Sequence, residues 1–114
     1  MVRVGIQSGC TSAIVFPIKN RPCIALRGKP GFGDWLVCGV STQLRQAVWG
    51  FDEPLRAEDA DFVGSGLKAP SIIRLGFLGV VPEERLLGAI GALAPERHRR
   101  LLRRLSAYLN AEQA

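Results

Sequence analysis

Two short apolar runs, RPCIALRG (21–28) and DWLVCGVS (34–41), are joined by Lys29-Pro30-Gly31-Phe32-Gly33. A Pro-Gly signal inside so short a connection makes the runs two strands of a hairpin, the feature that most limits how this chain can fold. A turn centred on Gly31 sets the register. It opposes Arg27 to Trp35, Ala25 to Val37, Cys23 to Gly39 and, at the open end, Arg21 to Ser41, with Thr42 and Gln43 next in line. Directly opposed side chains have Cβ atoms roughly 5 Å apart. The register therefore brings a guanidinium beside a hydroxyl, a pairing suited to holding a phosphate. A shift of one residue at the turn would move the partner to the other face, and an arginine that only solvates the hairpin end is the plainer reading.

The preceding run, TSAIVFP (11–17), reads as a third strand. Residues 42–66 are polar and broken by Pro and Gly, an excursion without a core element that Trp49 and Phe51 could anchor. APSIIRLGFLGVV (69–81) reads as one or two strands offering Ile72, Ile73, Leu75 and Leu78 to a core, with Arg74 facing away from Ile73 and Leu75. PEERLLG suits a helical turn. LLGAIGAL suits a strand, since each of its glycines would cost a helix about 1 kcal/mol relative to Ala. From Pro95, a favoured first helical residue followed by Glu96, the spacing of Leu101, Leu102, Leu105, Tyr108 and Leu109 predicts an amphipathic helix. Several short strands followed by a helix predict a mainly β, α+β architecture: a small antiparallel barrel or curled sheet with a C-terminal helix packed on it.

A length of 114 residues predicts a single domain, 1–114. The longest apolar run, Leu86 to Ala94, is far below the ~20 residues of a membrane span, and the N-terminal residues do not read as a secretory signal. A cytoplasmic protein that engages no membrane is expected. Cys10, Cys23 and Cys38 match no zinc or redox spacing and read as small buried residues; with one histidine, no multi-His metal site can form. No metal or other cofactor is expected. The net charge of +5 favours an anionic partner weakly, and its distribution matters more. Five acids, Asp52, Glu53, Glu58, Asp59 and Asp61, crowd the middle, while Arg97, Arg99, Arg100, Arg103 and Arg104 crowd the last helix.

Those five arginines suit either a nucleic-acid backbone or, opposite the leucines, a solvated face, and the solvated face is the stronger reading. Glycines 28, 31 and 33 read as a turn, because no G-K-[ST] ending or helix follows. His98, at the margin of the apolar face, reads as structural. Trp35, Trp49 and Phe51 suit base stacking or packing equally.

Taken in order, Gly9, Phe16-Pro17, Arg21-Pro22, VCGVSTQ, DFVGSGLKAPSIIRL and ERLLGAIGALAPERHRRLLRRL resemble the MazF/PemK-like toxins of bacterial type II toxin–antitoxin systems, over residues 9–109. The resemblance implies an SH3-like small antiparallel β-barrel with a C-terminal helix, a homodimer, and a small antitoxin protein as partner. It implies metal-independent cleavage of single-stranded RNA as an mRNA interferase, leaving a 2′,3′-cyclic phosphate and a 5′-hydroxyl and so inhibiting growth. Carried over by position, Arg21 matches the catalytic arginine, Ser41 falls where relatives commonly have a threonine, and Arg74 matches an arginine that some relatives use as an acid. Lys19, Pro22, Thr42, Gln43, Lys68 and Ser71 are the implied RNA-binding positions. The connection Ile18-Lys19-Asn20 is shorter than the family's first loop, and Gly76 stands where some relatives have an aspartate base. A catalytically impaired relative that binds antitoxin or nucleic acid as a dimeric module is the alternative.

Overall fold

The computed structural model describes residues 13–18, 21–28, 31, 33–86 and 88–111. Six strands form one antiparallel sheet: β1 (Ile14–Ile18), β2 (Arg21–Gly28), β3 (Asp34–Ser41), β4 (Glu53–Leu55), β5 (Ser71–Pro82) and β6 (Gly91–Ala92), in the order β4-β5-β3-β2-β1-β6. A short helix, α1 (Phe62–Ser65), follows β4, and the chain closes with α2 (Pro95–Asn110).

β2 is a strand buried on both faces. Its Ile24 and Leu26 join Val15, Cys38, Leu55, Ile73, Leu75 and Leu93 in a core that Leu101 and Leu105 of α2 complete. Its Cys23 and Ala25 face the other way, into a smaller cluster with Trp35, Val37 and Leu86. The unbroken apolar text of CIAL is the signature of a strand covered on both sides.

The hairpin register holds at Cys23↔Gly39 and Ala25↔Val37, then slips. A bulge skips Leu26, so Trp35 lies opposite Gly28 rather than Arg27. The bulge has a use: the Leu26 carbonyl accepts a hydrogen bond of 2.7 Å from His98 Nε2, which pins α2 to the sheet. His98 is buried and structural, as its position on the helix predicts.

A larger irregularity interrupts β5. Cys38 pairs with Leu78 but Gly39 pairs with Arg74, so Leu75, Gly76 and Phe77 are looped out of the ladder. The buried Asp52 carboxylate ties this bulge to the turn before β4, accepting from Leu75 N at 3.0 Å and from Val48 N at 2.9 Å. Leu78, expected in the core, is 41% exposed where the ladder resumes after the bulge, opposite Cys38.

Residues 42–66 do supply core elements. β4 pairs with β5 at Glu53↔Ile73 and Leu55↔Ser71, and Leu55 is fully buried. The segment's acids, which make it look like a solvated excursion, are neutralised from α2. LLGAIGAL forms a short strand at Gly91–Ala92, flanked by bonds from Ile90 N to Val15 O and from Leu93 N to Ala13 O, and a one-turn 3₁₀ segment at Glu83–Arg85 meets the expected helical turn. α1 lies hard against β6: a Cβ on Gly91 would stand 2.3 Å from the Gly64 carbonyl oxygen, so only glycine fits there.

The arginine face of α2 is solvated at Arg99 and Arg103, as expected, but Arg97, Arg100 and Arg104 correct the expectation. Arg97 is buried, and its five N–H groups reach Glu53, Asp59, Asp61 and the Pro54 carbonyl. Arg100 forks onto Glu53, and Arg104 donates to Phe51 O at 3.1 Å. At the far end, Tyr108 and Leu109 are exposed, with Tyr108 tilted on Phe51 at 4.9 Å between ring centroids. The sheet ends before the last turn of the helix can reach it. No helix among the described residues is long and apolar enough to cross a membrane.

Candidate nucleic-acid groove

Antiparallel pairing brings the first residues of β2, the last of β3 and the first half of β5 to one end of the sheet. Gly39 is the junction, paired with Cys23 on one side and Arg74 on the other. A groove of about 930 Å³ opens there. Arg21, Ser41 and Arg74, the three candidate catalytic residues, all line it. So do Pro22, Thr42, Gln43, Lys68 and Ser71. Lys19 and Cys10 lie outside the described residues. The β2–β3 ladder ends at Cys23↔Gly39, so Arg21 and Ser41 share the groove without being a ladder pair.

Arg21 is exposed and has no ion-pair or hydrogen-bond partner among the described residues. Ser41 begins a side-chain turn: its Oγ accepts from Gln43 N at 3.0 Å and donates to Gln46 Oε1 at 2.9 Å. A ligand oxygen bonding this hydroxyl would take the place of Gln46. Ser71 is buried, its hydroxyl donating to Ala69 O at 2.8 Å, so it shapes the turn before β5 instead of offering a free donor. The guanidinium of Arg74 lies over the Phe77 ring, 5.1 Å from its centroid, and its Nε has no hydrogen-bond partner.

Among the described residues, the charged side chains lining this groove are Arg21, Lys68 and Arg74, and no carboxylate or imidazole lines it. The cause lies on another part of the molecule. Glu53, Asp59 and Asp61 gather around Arg97 and Arg100, and Asp52 is spent on the β5 bulge. Burial pushes the Asp61 carboxyl up, but hydrogen bonds from Arg97 and from Ala94 N, with the Arg97 charge, outweigh it and hold the group below the usual carboxylate range. Burial likewise opposes the charge on Arg97, and Asp61, Glu53 and Asp59 hold its pKa above the ordinary value. The hydrogen bond to Glu53 raises Arg100. With these four acids held away from it, the groove's charged lining among the described residues is cationic, on a chain of net charge +5.

Cys38, at the groove floor, is a free thiol pushed far above its ordinary pKa by burial, with Cys23 and Asp52 adding to the shift. Among the described residues no three His, Cys, Asp or Glu side chains stand together to hold a metal ion. Gln46, Phe77 and Ile90 also line the groove and carry no sequence signal for it. Alternation along β5 would group Phe77 with the buried Ile73 and Leu75, yet it is 63% exposed, because it lies within the bulge. Trp35 is buried in the smaller cluster, and Trp49, though exposed, is away from this groove.

No family model matches the chain, and no curated protein matches it. Among solved structures it is similar to Mycobacterium tuberculosis toxin MazF-mt6, with a TM-score of 0.64 and 17% sequence identity, over 89% of this chain and 98% of that chain. The likeness shows the fold: a curled antiparallel sheet with a C-terminal helix, the MazF/PemK-like α+β arrangement.

Proposed function

We propose that this protein is the toxin of a toxin–antitoxin pair and an endoribonuclease that cleaves single-stranded RNA in the groove between β2, β3 and β5 without a metal ion. The observation that carries the reading is the cationic groove itself, lined among the described residues by Arg21, Lys68 and Arg74 and by no carboxylate, on a fold similar to that of a MazF toxin. A polyanion is the ligand such a surface attracts.

In the proposed reaction the 2′-oxygen of a ribose attacks the adjacent phosphorus and gives up its proton. The phosphorus–5′-oxygen bond breaks, and the departing 5′-oxygen takes a proton, leaving a 2′,3′-cyclic phosphate and a 5′-hydroxyl. Arg21 stabilises the extra negative charge of the phosphorane, a role whose loss typically costs ~3 to 4 kcal/mol. Arg74 bonds the leaving oxygen, and Ser41 orients the phosphate. Because no carboxylate or imidazole among the described residues lines the groove, the attacking hydroxyl loses its proton to solvent. The acting species is a homodimer, and the neutralising partner is a small antitoxin with an acidic segment that occupies the groove.

The missing base also favours the alternative, a non-catalytic dimeric module that binds antitoxin or nucleic acid. One experiment separates the two. RNA incubated with pure protein in EDTA acquires 5′-hydroxyl ends under the first reading, and production of the protein alone arrests bacterial growth unless Arg21 is changed to Ala. RNA left intact across many sequences, with antitoxin or RNA still bound, overturns the nuclease and leaves the module.

A further inference from the structure

Phe77 combines features that packing alone does not require. It is a large aromatic side chain left 63% exposed, in a strand whose pattern would have buried it. Three separate devices hold it out. The β5 ladder skips residues 75–77, the buried Asp52 carboxylate fixes that bulge at Leu75 N, and position 39 beside the stem of the ring is glycine, where a Cβ would stand 3.2 Å from Phe77 Cδ1. The Arg74 guanidinium lies over the ring. The ring thus stands in the groove beside the three cations Arg21, Lys68 and Arg74.

An exposed π-face set among phosphate-binding cations is the arrangement by which proteins hold an unpaired base while its backbone is neutralised. We propose that Phe77 is a stacking platform for one nucleobase of a single-stranded RNA, with Arg21 and Lys68 on the flanking phosphates. The inference rests on the reading of the groove as an RNA site and adds the element that recognises bases as well as charge. Stacking tolerates any base, so the platform supplies affinity and a fixed register, and selection among bases falls to the polar groups beside it, Thr42 and Gln43.

The test compares a fluorescein-labelled ten-nucleotide single strand of mixed sequence, 2′-deoxy throughout so that it is not cleaved, with the same strand made abasic. Binding to the full chain is followed by anisotropy. Wild type is expected to bind the base-bearing strand about tenfold more tightly than the abasic one. Phe77→Ala and Phe77→Leu should remove that preference while leaving affinity for the abasic strand unchanged, and Phe77→Trp should keep it. Arg21→Ala should weaken both strands alike. Far-ultraviolet circular dichroism and thermal unfolding show which variants fold; if Phe77→Ala does not, Phe77→Leu and Phe77→Trp carry the comparison.

The platform is overturned, and the RNA reading kept, if Arg21→Ala weakens binding while Phe77→Ala or Phe77→Leu retains the preference for bases. Both fall if wild type binds neither strand. A third outcome also overturns the platform: sedimentation showing that Phe77→Ala converts a dimer to monomers would make the ring a contact between two copies.

Discussion

Arg97 and Asp61 are joined by two parallel hydrogen bonds, Nε to Oδ2 at 2.8 Å and Nη2 to Oδ1 at 3.1 Å, across 36 residues of sequence. The same carboxylate oxygen that takes the Arg97 Nε proton also accepts from Ala94 N at 3.0 Å, so Asp61 fixes the start of α2 as well as its arginine. This fork ties the segment after β4 to the last helix and keeps the Asp61 charge away from the groove.

Arg97→Ala leaves Glu53, Asp59 and Asp61 crowded and without their central cation. A loss of about 3 to 5 kcal/mol is expected, because breaking a buried pair strands the remaining charges. Arg97→Lys should recover only part of it, since an ammonium cannot span three carboxylates with a planar fork. Urea denaturation of the three proteins measures both effects.

Stability should fall in acid with a defined sign. Asp61 has a folded pKa held below its ordinary value of 3.8, so the unfolded chain takes up its proton first as pH drops. The contribution is fully present above the ordinary carboxylate range and is lost as pH falls through the lower folded value. Unfolding free energies measured between pH 2 and 6 should decline in that window, and Asp61→Asn should flatten the decline.

Arg21→Ala should lower RNA cleavage by about 10²- to 10³-fold. Because the side chain is exposed and unpartnered among the described residues, stability should change by no more than about 0.5 kcal/mol. Single-turnover cleavage assays and thermal melts on the same sample separate a lost function from a lost fold.

The cleavage rate should rise with pH, by about tenfold per unit between pH 6 and 8, without a plateau. Among the described residues no carboxylate or imidazole lines the groove, and His98 is committed to the Leu26 carbonyl in the core. A bell-shaped profile centred in that range would show that a titrating side chain takes the proton.

Gly91→Ala should cost about 3 kcal/mol, since the new methyl group would stand 2.3 Å from backbone atoms of α1 that cannot rotate away. Gly31→Ala, where a methyl group meets nothing within 4 Å but φ is +105°, should cost only about 1 kcal/mol. Chemical denaturation of the pair distinguishes close packing from backbone strain.

How legible the fold was depended on whether the information was local. The hairpin from 21 to 41 and the helix from Pro95 follow from alternation, a Pro-Gly turn and a helical stripe, and these operate within a few residues. β4 escaped notice because its three residues carry Glu53, whose charge argues for solvent until Arg97 and Arg100 arrive from α2. Leu78, expected in the core, and Phe77 beside it are both exposed, because a bulge adds residues to one strand without marking the text. The groove was legible in part: Arg21, Ser41 and Arg74 line it, although Arg21 and Ser41 are not the opposed ladder pair that the turn register predicted, and Gln46 and Ile90 reach it from segments with no motif.

By itself, then, the sequence determined the strands of the hairpin and the position of the closing helix, because hydrophobic period and turn chemistry act over short distances. Tertiary structure decided where charge ends up. Fifteen basic and ten acidic residues specify only a net of +5, and Coulomb attraction across 36 to 47 residues chose which of them cancel. By drawing Glu53, Asp59 and Asp61 to α2, folding left Arg21, Lys68 and Arg74 unopposed in the groove.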